Sequence, residues 1–188
     1  TPEPSTPSIV DVLLFTAGWE PVTGAAAAPG GAGTVVCLHP PALAGPARAI
    51  AAALRPARVV TIDSDDPVGA LPAGPVSGWV NLHALADGPA EHDAGPWTAH
   101  LATLQDLLRR RPEALRVLHV TSGLLDVPGT LPETGAPTTR GARLAGFVRS
   151  LGAEHPRVCA TVVDVEPARD LAERIAAAWR TADPQGEI

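Results

Sequence analysis

The feature that most constrains the fold of this chain is an alternation of short apolar runs with longer segments of helical periodicity. A run that is apolar at nearly every position predicts a strand covered on both faces, as in a parallel sheet. Such strands are predicted at residues 10–19, 34–38, 58–62, 76–82, 115–120 and 158–165. Helices are predicted at residues 42–54, 97–111, 140–154 and 168–180. The alternation predicts an α/β layered fold with a mostly parallel sheet and right-handed crossovers.

The length and the linkers favour one domain. The chain has 188 residues, and 45% of them are hydrophobic, which is enough for a single core. Residues 1–8 are rich in proline and are predicted to be a linker, and residues 121–137 form a long Gly/Pro loop. No apolar run is long enough for a membrane span, and the first residues lack the basic start of a signal peptide.

The two cysteines favour a reduced compartment. Cys37 and Cys159 each lie inside an apolar run and are predicted to be buried strand residues. The alternative, a disulfide or metal pair, has no spacing motif behind it. We therefore expect a cytoplasmic protein.

The charge balance argues against nucleic acid as a partner. All 14 basic residues are arginines, and 20 acidic residues bring the net charge to −6. Residues 109–111 are three consecutive arginines at the end of a predicted helix. Cations at that position match the helix dipole, so a solvated helix end is favoured over a basic binding patch.

The turn after the 34–38 strand is where a nucleotide would bind in such a fold, because glycine there lets the backbone N–H groups approach a phosphate. Residues 39–46 read HPPALAGP, with three prolines that lack an N–H and a single glycine. The glycine-rich stretch at 29–33 precedes the strand and is predicted to be a connector. Asp63 ends the next predicted strand, where an acid can hold a ribose, but without the glycine turn it is predicted to be a solvated loop residue. No cofactor-binding residue is assigned.

Candidate catalytic residues lack the partners that chemistry requires. Ser122 follows the 115–120 strand, but the chain contains no tyrosine and no lysine, so a Tyr–Lys proton relay is excluded. No G-x-S-x-G nucleophile elbow and no H-x-x-x-H metal spacing occurs. Each histidine is predicted to be a structural or surface residue. These histidines are His39, His83, His92, His100, His119 and His155. No catalytic or metal residue is assigned, and a small oxidoreductase or hydrolase with a site near Ser122 is the minor alternative.

Several phrases of the sequence resemble the structural subdomain of polyketide synthase ketoreductases. The most specific are residues 141–156 (GARLAGFVRSLGAEHP) followed by 162–165 (VVDV). Residues 19–22 (WEPV), 76–85 (VSGWVNLHAL) and 115–123 (LRVLHVTSG) also resemble that subdomain. The resemblance covers nearly the whole chain.

In that family a ketoreductase consists of two Rossmann-like halves. The first half is truncated, binds no cofactor and stabilises the second half, which binds NADPH and carries the catalytic Ser, Tyr and Lys. The resemblance therefore implies a truncated Rossmann-like, three-layer subdomain over residues 9–183, and a linker at 184–188 towards a catalytic half. It also implies that the subdomain has no enzyme activity by itself. The partners that it implies are a catalytic ketoreductase subdomain or adjacent synthase domains.

Two details of the resemblance lead to further expectations. The predicted strand at residues 10–19 is expected to pair with a neighbouring domain. Gly146, inside a predicted helix, costs about 1 kcal/mol relative to alanine, and it would be worth keeping if another helix packs closely there. A pseudo-ketoreductase beside a methyltransferase or another domain, or a self-associating module, would fit the same residues.

Overall fold

The computed structural model describes residues 33–63, 69–86, 94–110, 114–124, 141–166 and 169–181. The described strands are β1 (Thr34–His39), β2 (Arg58–Asp63), β3 (Val76–Asn81), β4 (Leu115–Thr121) and β5 (Val158–Asp164). The described helices are α1 (Ala44–Ala53), α2 (Ala94–Arg109), α3 (Ala142–Glu154) and α4 (Leu171–Arg180). Two short 3-10 turns, Pro41–Leu43 and His83–Leu85, follow β1 and β3.

The five described strands form one parallel sheet in the order β2-β1-β3-β4-β5. The chain passes from β1 to the edge strand β2 and then returns across β1 to β3. In open sheets of this kind, the crevice outside the carboxyl ends of the strands at such a reversal is the usual ligand site. The predicted α/β, Rossmann-like fold with a parallel sheet is confirmed.

The sheet is covered by helices on both faces. Successive strand residues point to opposite sides, so each strand contributes to two cores. Leu38 and Trp79 pack in the core that includes the buried residues of α2 and α3. Cys37 and Val80 pack in the core that includes the buried residues of α1 and α4. The predicted three layers are therefore present.

The boundaries of the elements differ from the predicted ones where proline or glycine intervenes. The predicted helix at 42–54 is divided into the turn Pro41–Leu43 and helix α1, and Pro46 lies in the first turn of α1. Helix α4 begins at Leu171 rather than at residue 168. The predicted strand at 10–19, the linkers at 1–8 and 184–188 and most of the 121–137 loop lie outside the described residues.

In α3 a close approach is described at Gly152 rather than at Gly146. A Cβ added at Gly146 would have no described atom within 4 Å, so the described residues give no close helix contact there. A Cβ at Gly152 would instead lie 3.2 Å from Cβ of Ala160. The tight contact of α3 is thus with strand β5.

Helix α4 is fastened to the sheet by a buried arginine and a tryptophan. The Arg116 guanidinium lies 5.1 Å from the centre of the Trp179 ring. Its Nη2 donates to the carbonyl oxygens of Ala178 and Thr181, where a cation also complements the helix dipole. A Cβ at Gly78 would lie 2.8 Å from Cζ2 of Trp179, so this glycine gives the indole its place on the sheet.

Candidate functional site

Four polar side chains meet at the carboxyl ends of β3 and β4, on the α2/α3 side of the sheet. Asn81 and His119 end neighbouring strands and are register partners. His83 lies in the turn that follows β3, and His100 is contributed by α2. We refer to Asn81, His83, His100 and His119 as the histidine cluster. The sequence does not indicate this cluster, because His83, His100 and His119 lie far apart along the chain.

Asn81 joins the turn and the helix. Its Oδ1 accepts the backbone N–H of His83 at 2.7 Å. Its Nδ2 therefore faces Nδ1 of His100 at 3.2 Å and donates to it. With Nδ1 acting as the acceptor, the neutral His100 ring carries its proton on Nε2. The rings of His83 and His100 meet edge-on, with their centroids 4.9 Å apart.

His119 holds the beginning of α3. Its Nε2 donates to the carbonyl oxygen of Gly141 at 3.1 Å. Gly141 has φ +80°, in the left-handed region, and a Cβ there would lie 2.7 Å from Cβ of Ala84. Glycine is therefore needed for this backbone to approach His119 and the turn after β3.

His100 and His119 are electrically neutral at pH 7. Burial lowers the pKa of His100 to about 3, and the neighbouring His83 and His119 lower it further. Burial lowers the pKa of His119 to about 4, against the opposing effect of its bond to Gly141 and with a smaller contribution from His83. Imidazoles with such pKa values are poor proton acceptors near neutral pH. Within the described ranges no group of three His, Cys, Asp or Glu side chains has the geometry of a metal site.

The turn after β1 offers few donors to a phosphate. The N–H of Leu43 donates to the Pro40 carbonyl at 2.9 Å, and the N–H of Ala44 donates to the Pro41 carbonyl. Nδ1 of His39 also donates to Pro40, at 2.9 Å. Pro40, Pro41 and Pro46 have no N–H to contribute. Two of the remaining donors are thus used inside the turn itself.

The other candidate residues lie apart from the cluster. Asp63 is exposed at the end of β2, where it is the register partner of His39. Ser122 follows β4 and is partly buried. The end of β4 is instead held by Asp164, whose Oδ1 accepts from Oγ1 of Thr121 at 2.7 Å and from the N–H of Leu124 at 3.2 Å.

The two cysteines lie on opposite parts of the sheet. Cys37 is buried on β1, as predicted, and burial raises the pKa of its thiol to about 12. Cys159 is only partly buried, on β5. Three strand spacings, roughly 14 Å in all, separate β1 from β5, which is too far for a disulfide.

The remaining charged and histidine candidates that the structure describes lie at helix ends. Arg110 forms an ion pair with Asp106 at 2.7 Å and donates to the Pro72 carbonyl at 2.7 Å, which agrees with a solvated helix end. His155 is exposed and ends α3. Arg111 and His92 lie outside the described residues.

Comparisons with known proteins identify the fold. No family model and no curated protein matches the sequence. Among solved structures, the chain is similar to the first ketoreductase of the tylosin PKS, with a TM-score of 0.62 and 23% sequence identity. The match covers 81% of this chain but 35% of that ketoreductase, so the chain spans about a third of its length. None of the described helices has the length and apolarity to cross a membrane.

Proposed function

We propose that this chain is the non-catalytic structural subdomain of a polyketide synthase ketoreductase. In this role it stabilises or docks a neighbouring NADPH-dependent catalytic subdomain and does not act as an enzyme by itself. The similarity of its fold to about a third of a ketoreductase supports this function. The proposal also places the protein in the cytoplasm, where the buried Cys37 thiol stays reduced.

The observation that carries the proposal is the turn after β1. Rossmann-type domains bind the pyrophosphate of a dinucleotide through backbone N–H groups at this position. Here Pro40 and Pro41 supply none, and the N–H groups of Leu43 and Ala44 donate to their carbonyls. A dinucleotide could gain these donors only if the turn were rebuilt.

The chemistry of the side chains supports the same function. The chain contains no tyrosine and no lysine, so it cannot supply the Tyr–Lys pair of the catalytic half. His100 and His119 are buried, and their pKa values of about 3 and about 4 keep them neutral. Reduction is therefore assigned to a partner subdomain.

The first test is a titration of the full chain with NADPH, followed by calorimetry and by quenching of the fluorescence of its 4 tryptophans. We expect no saturable binding up to millimolar concentration, under conditions in which an active NADPH-dependent ketoreductase binds. Saturable binding would contradict the proposal and return Ser122 to consideration as a catalytic residue. The variant Ser122→Ala would then be tested for loss of turnover.

The second test concerns the partner. The full chain is co-expressed with the catalytic ketoreductase subdomain of the same synthase, and the pair is analysed by size-exclusion chromatography. We expect a one-to-one complex in which the catalytic subdomain unfolds at a higher temperature than it does alone. A stable self-complex that ignores the catalytic subdomain would instead indicate a self-associating module. A complex with a methyltransferase domain only would indicate a pseudo-ketoreductase.

A further inference from the structure

Nε2 of His100 and Nδ1 of His119 are buried nitrogen atoms of the histidine cluster, and neither has a hydrogen-bond partner among the described residues. The residues are 3% and 1% exposed, respectively. Buried polar atoms in folded proteins are nearly always satisfied, by protein groups or by ordered water.

The hydrogen bonds of the cluster determine what each atom needs. Because Nδ1 of His100 accepts from Asn81, Nε2 of His100 carries a proton and needs an acceptor. Because Nε2 of His119 donates to Gly141, Nδ1 of His119 carries a lone pair and needs a donor. The two needs are complementary, and a single hydroxyl-type molecule meets both.

The positions of the two rings favour a shared molecule. Asn81 and His119 are register partners on adjacent strands, so their side chains stand side by side on one face of the sheet. The same Asn81 contacts the His100 ring at 3.2 Å. A metal ion does not fit, because it would have to displace the proton on Nε2 of His100 that the bond from Asn81 places there.

We propose that the histidine cluster is an internal hydration site, in which one water molecule accepts the Nε2–H of His100 and donates to Nδ1 of His119. This water completes a polar connection between β3, β4, α2 and the start of α3. The water molecule stabilises the folded chain, and this role does not depend on the proposed function. It also gives the cluster a structural role with no proton transfer to substrate.

The direct test is nuclear magnetic resonance of the unaltered full chain at pH 7. Long-range ¹H–¹⁵N spectra should show both rings neutral, each with its proton on Nε2. The Nε2 proton of His100 should show a nuclear Overhauser effect to a water molecule that resides longer than the tumbling time. A proton on Nδ1 of His100, or an Nε2 proton without that water contact, would overturn the proposal.

A double-mutant cycle tests whether the two atoms share one molecule. We expect His100→Phe and His119→Leu each to lower the folding equilibrium constant, because each leaves the water with one missing partner. If the two substitutions acted independently, the folding equilibrium constant of the double variant would fall by the product of the two single losses. We expect its actual value to be about tenfold higher than that. Because His155 is exposed, the pair His100→Phe and His155→Leu serves as the control. In this pair the folding equilibrium constant of the double variant should fall by the product of the two single losses. Multiplying losses for His100 and His119 as well would argue against a shared water.

Discussion

At the scale of single residues, Gly141 controls how the sheet and α3 meet. Its φ of +80° and the 2.7 Å that a Cβ would have to Ala84 leave room only for glycine. Its carbonyl is also the acceptor for Nε2 of His119. One backbone position therefore combines a left-handed conformation, a close contact and the satisfaction of a buried imidazole.

We expect Gly141→Ala to destabilise the protein by about 2 kcal/mol, from backbone strain and the crowding against Ala84. The measurement is the free energy of unfolding in urea. Gly146→Ala, inside α3, is the matched control. Because a Cβ there meets no described atom within 4 Å, alanine should stabilise the helix by up to about 1 kcal/mol. Equal effects of the two substitutions would show that the packing at Gly141 has been misjudged.

At the scale of elements, two arginines join the helices that cover one face of the sheet. Arg116 of β4 donates to the last carbonyls of α4 and stacks on Trp179. Arg180 of α4 in turn donates to the Ala53 carbonyl at the end of α1, at 2.5 Å. The sheet, α4 and α1 are thus connected through helix carboxyl ends, where positive charge is favoured.

Gly78→Ala tests how α4 sits on the sheet. The added methyl group would meet the indole of Trp179, so we expect a loss of about 2 kcal/mol in the free energy of unfolding. Trp179→Leu alone should also destabilise, because the stacking on Arg116 is lost. In the double variant the smaller leucine leaves room for the methyl group, and the combined loss should be well below the sum. A fully additive result would mean that the indole does not occupy the space above Gly78.

At the scale of the whole molecule, the buried histidines couple stability to pH. An unfolded histidine has a pKa near 6.5, whereas His100 and His119 titrate near 3 and 4 in the folded chain. Between these limits the unfolded chain binds more protons than the folded chain. Acidification therefore favours unfolding, and above pH 7 the two groups contribute no pH dependence.

We expect the free energy of unfolding to fall from pH 6.5 towards pH 4, by about 1.4 kcal/mol per pH unit for each of the two histidines. Urea unfolding at pH 7.5, 6 and 5 measures this slope. The variant His100→Gln should lose about half of it, while His155→Gln, at an exposed position, should keep it. A slope that His100→Gln leaves unchanged would contradict the neutral, buried state of His100.

The sequence predicted the layers of the fold better than the relations between side chains. Apolar runs such as residues 34–38 identify strands, because burial on both faces leaves no alternation. The histidine cluster was missed because Asn81, His100 and His119 come together only through the β3–β4 register and the packing of α2. The polar ends of two consecutive core strands, Asn81 and His119, were the available signal.

Glycines show the same limit. The helical pattern pointed to Gly146, but among the described residues the close contacts lie at Gly33, Gly78, Gly141 and Gly152. Three-dimensional packing decides which side of a helix or strand meets a neighbour at short distance. The local sequence does not contain this information. The proline-filled turn after β1, in contrast, could be interpreted directly, because a missing N–H is a property of the residue itself.

The position of β2 at the edge of the described sheet has a consequence for its motion. Within the described sheet β2 pairs only with β1, and of its six residues only Ile62 is buried. Opening this strand exposes little apolar surface, so its amide hydrogens should exchange with solvent through local opening, well before those of β4, whose seven residues are all buried. Arg58 and Asp63 place a charge at each end of the strand, which discourages a second chain from adding to the edge during such openings.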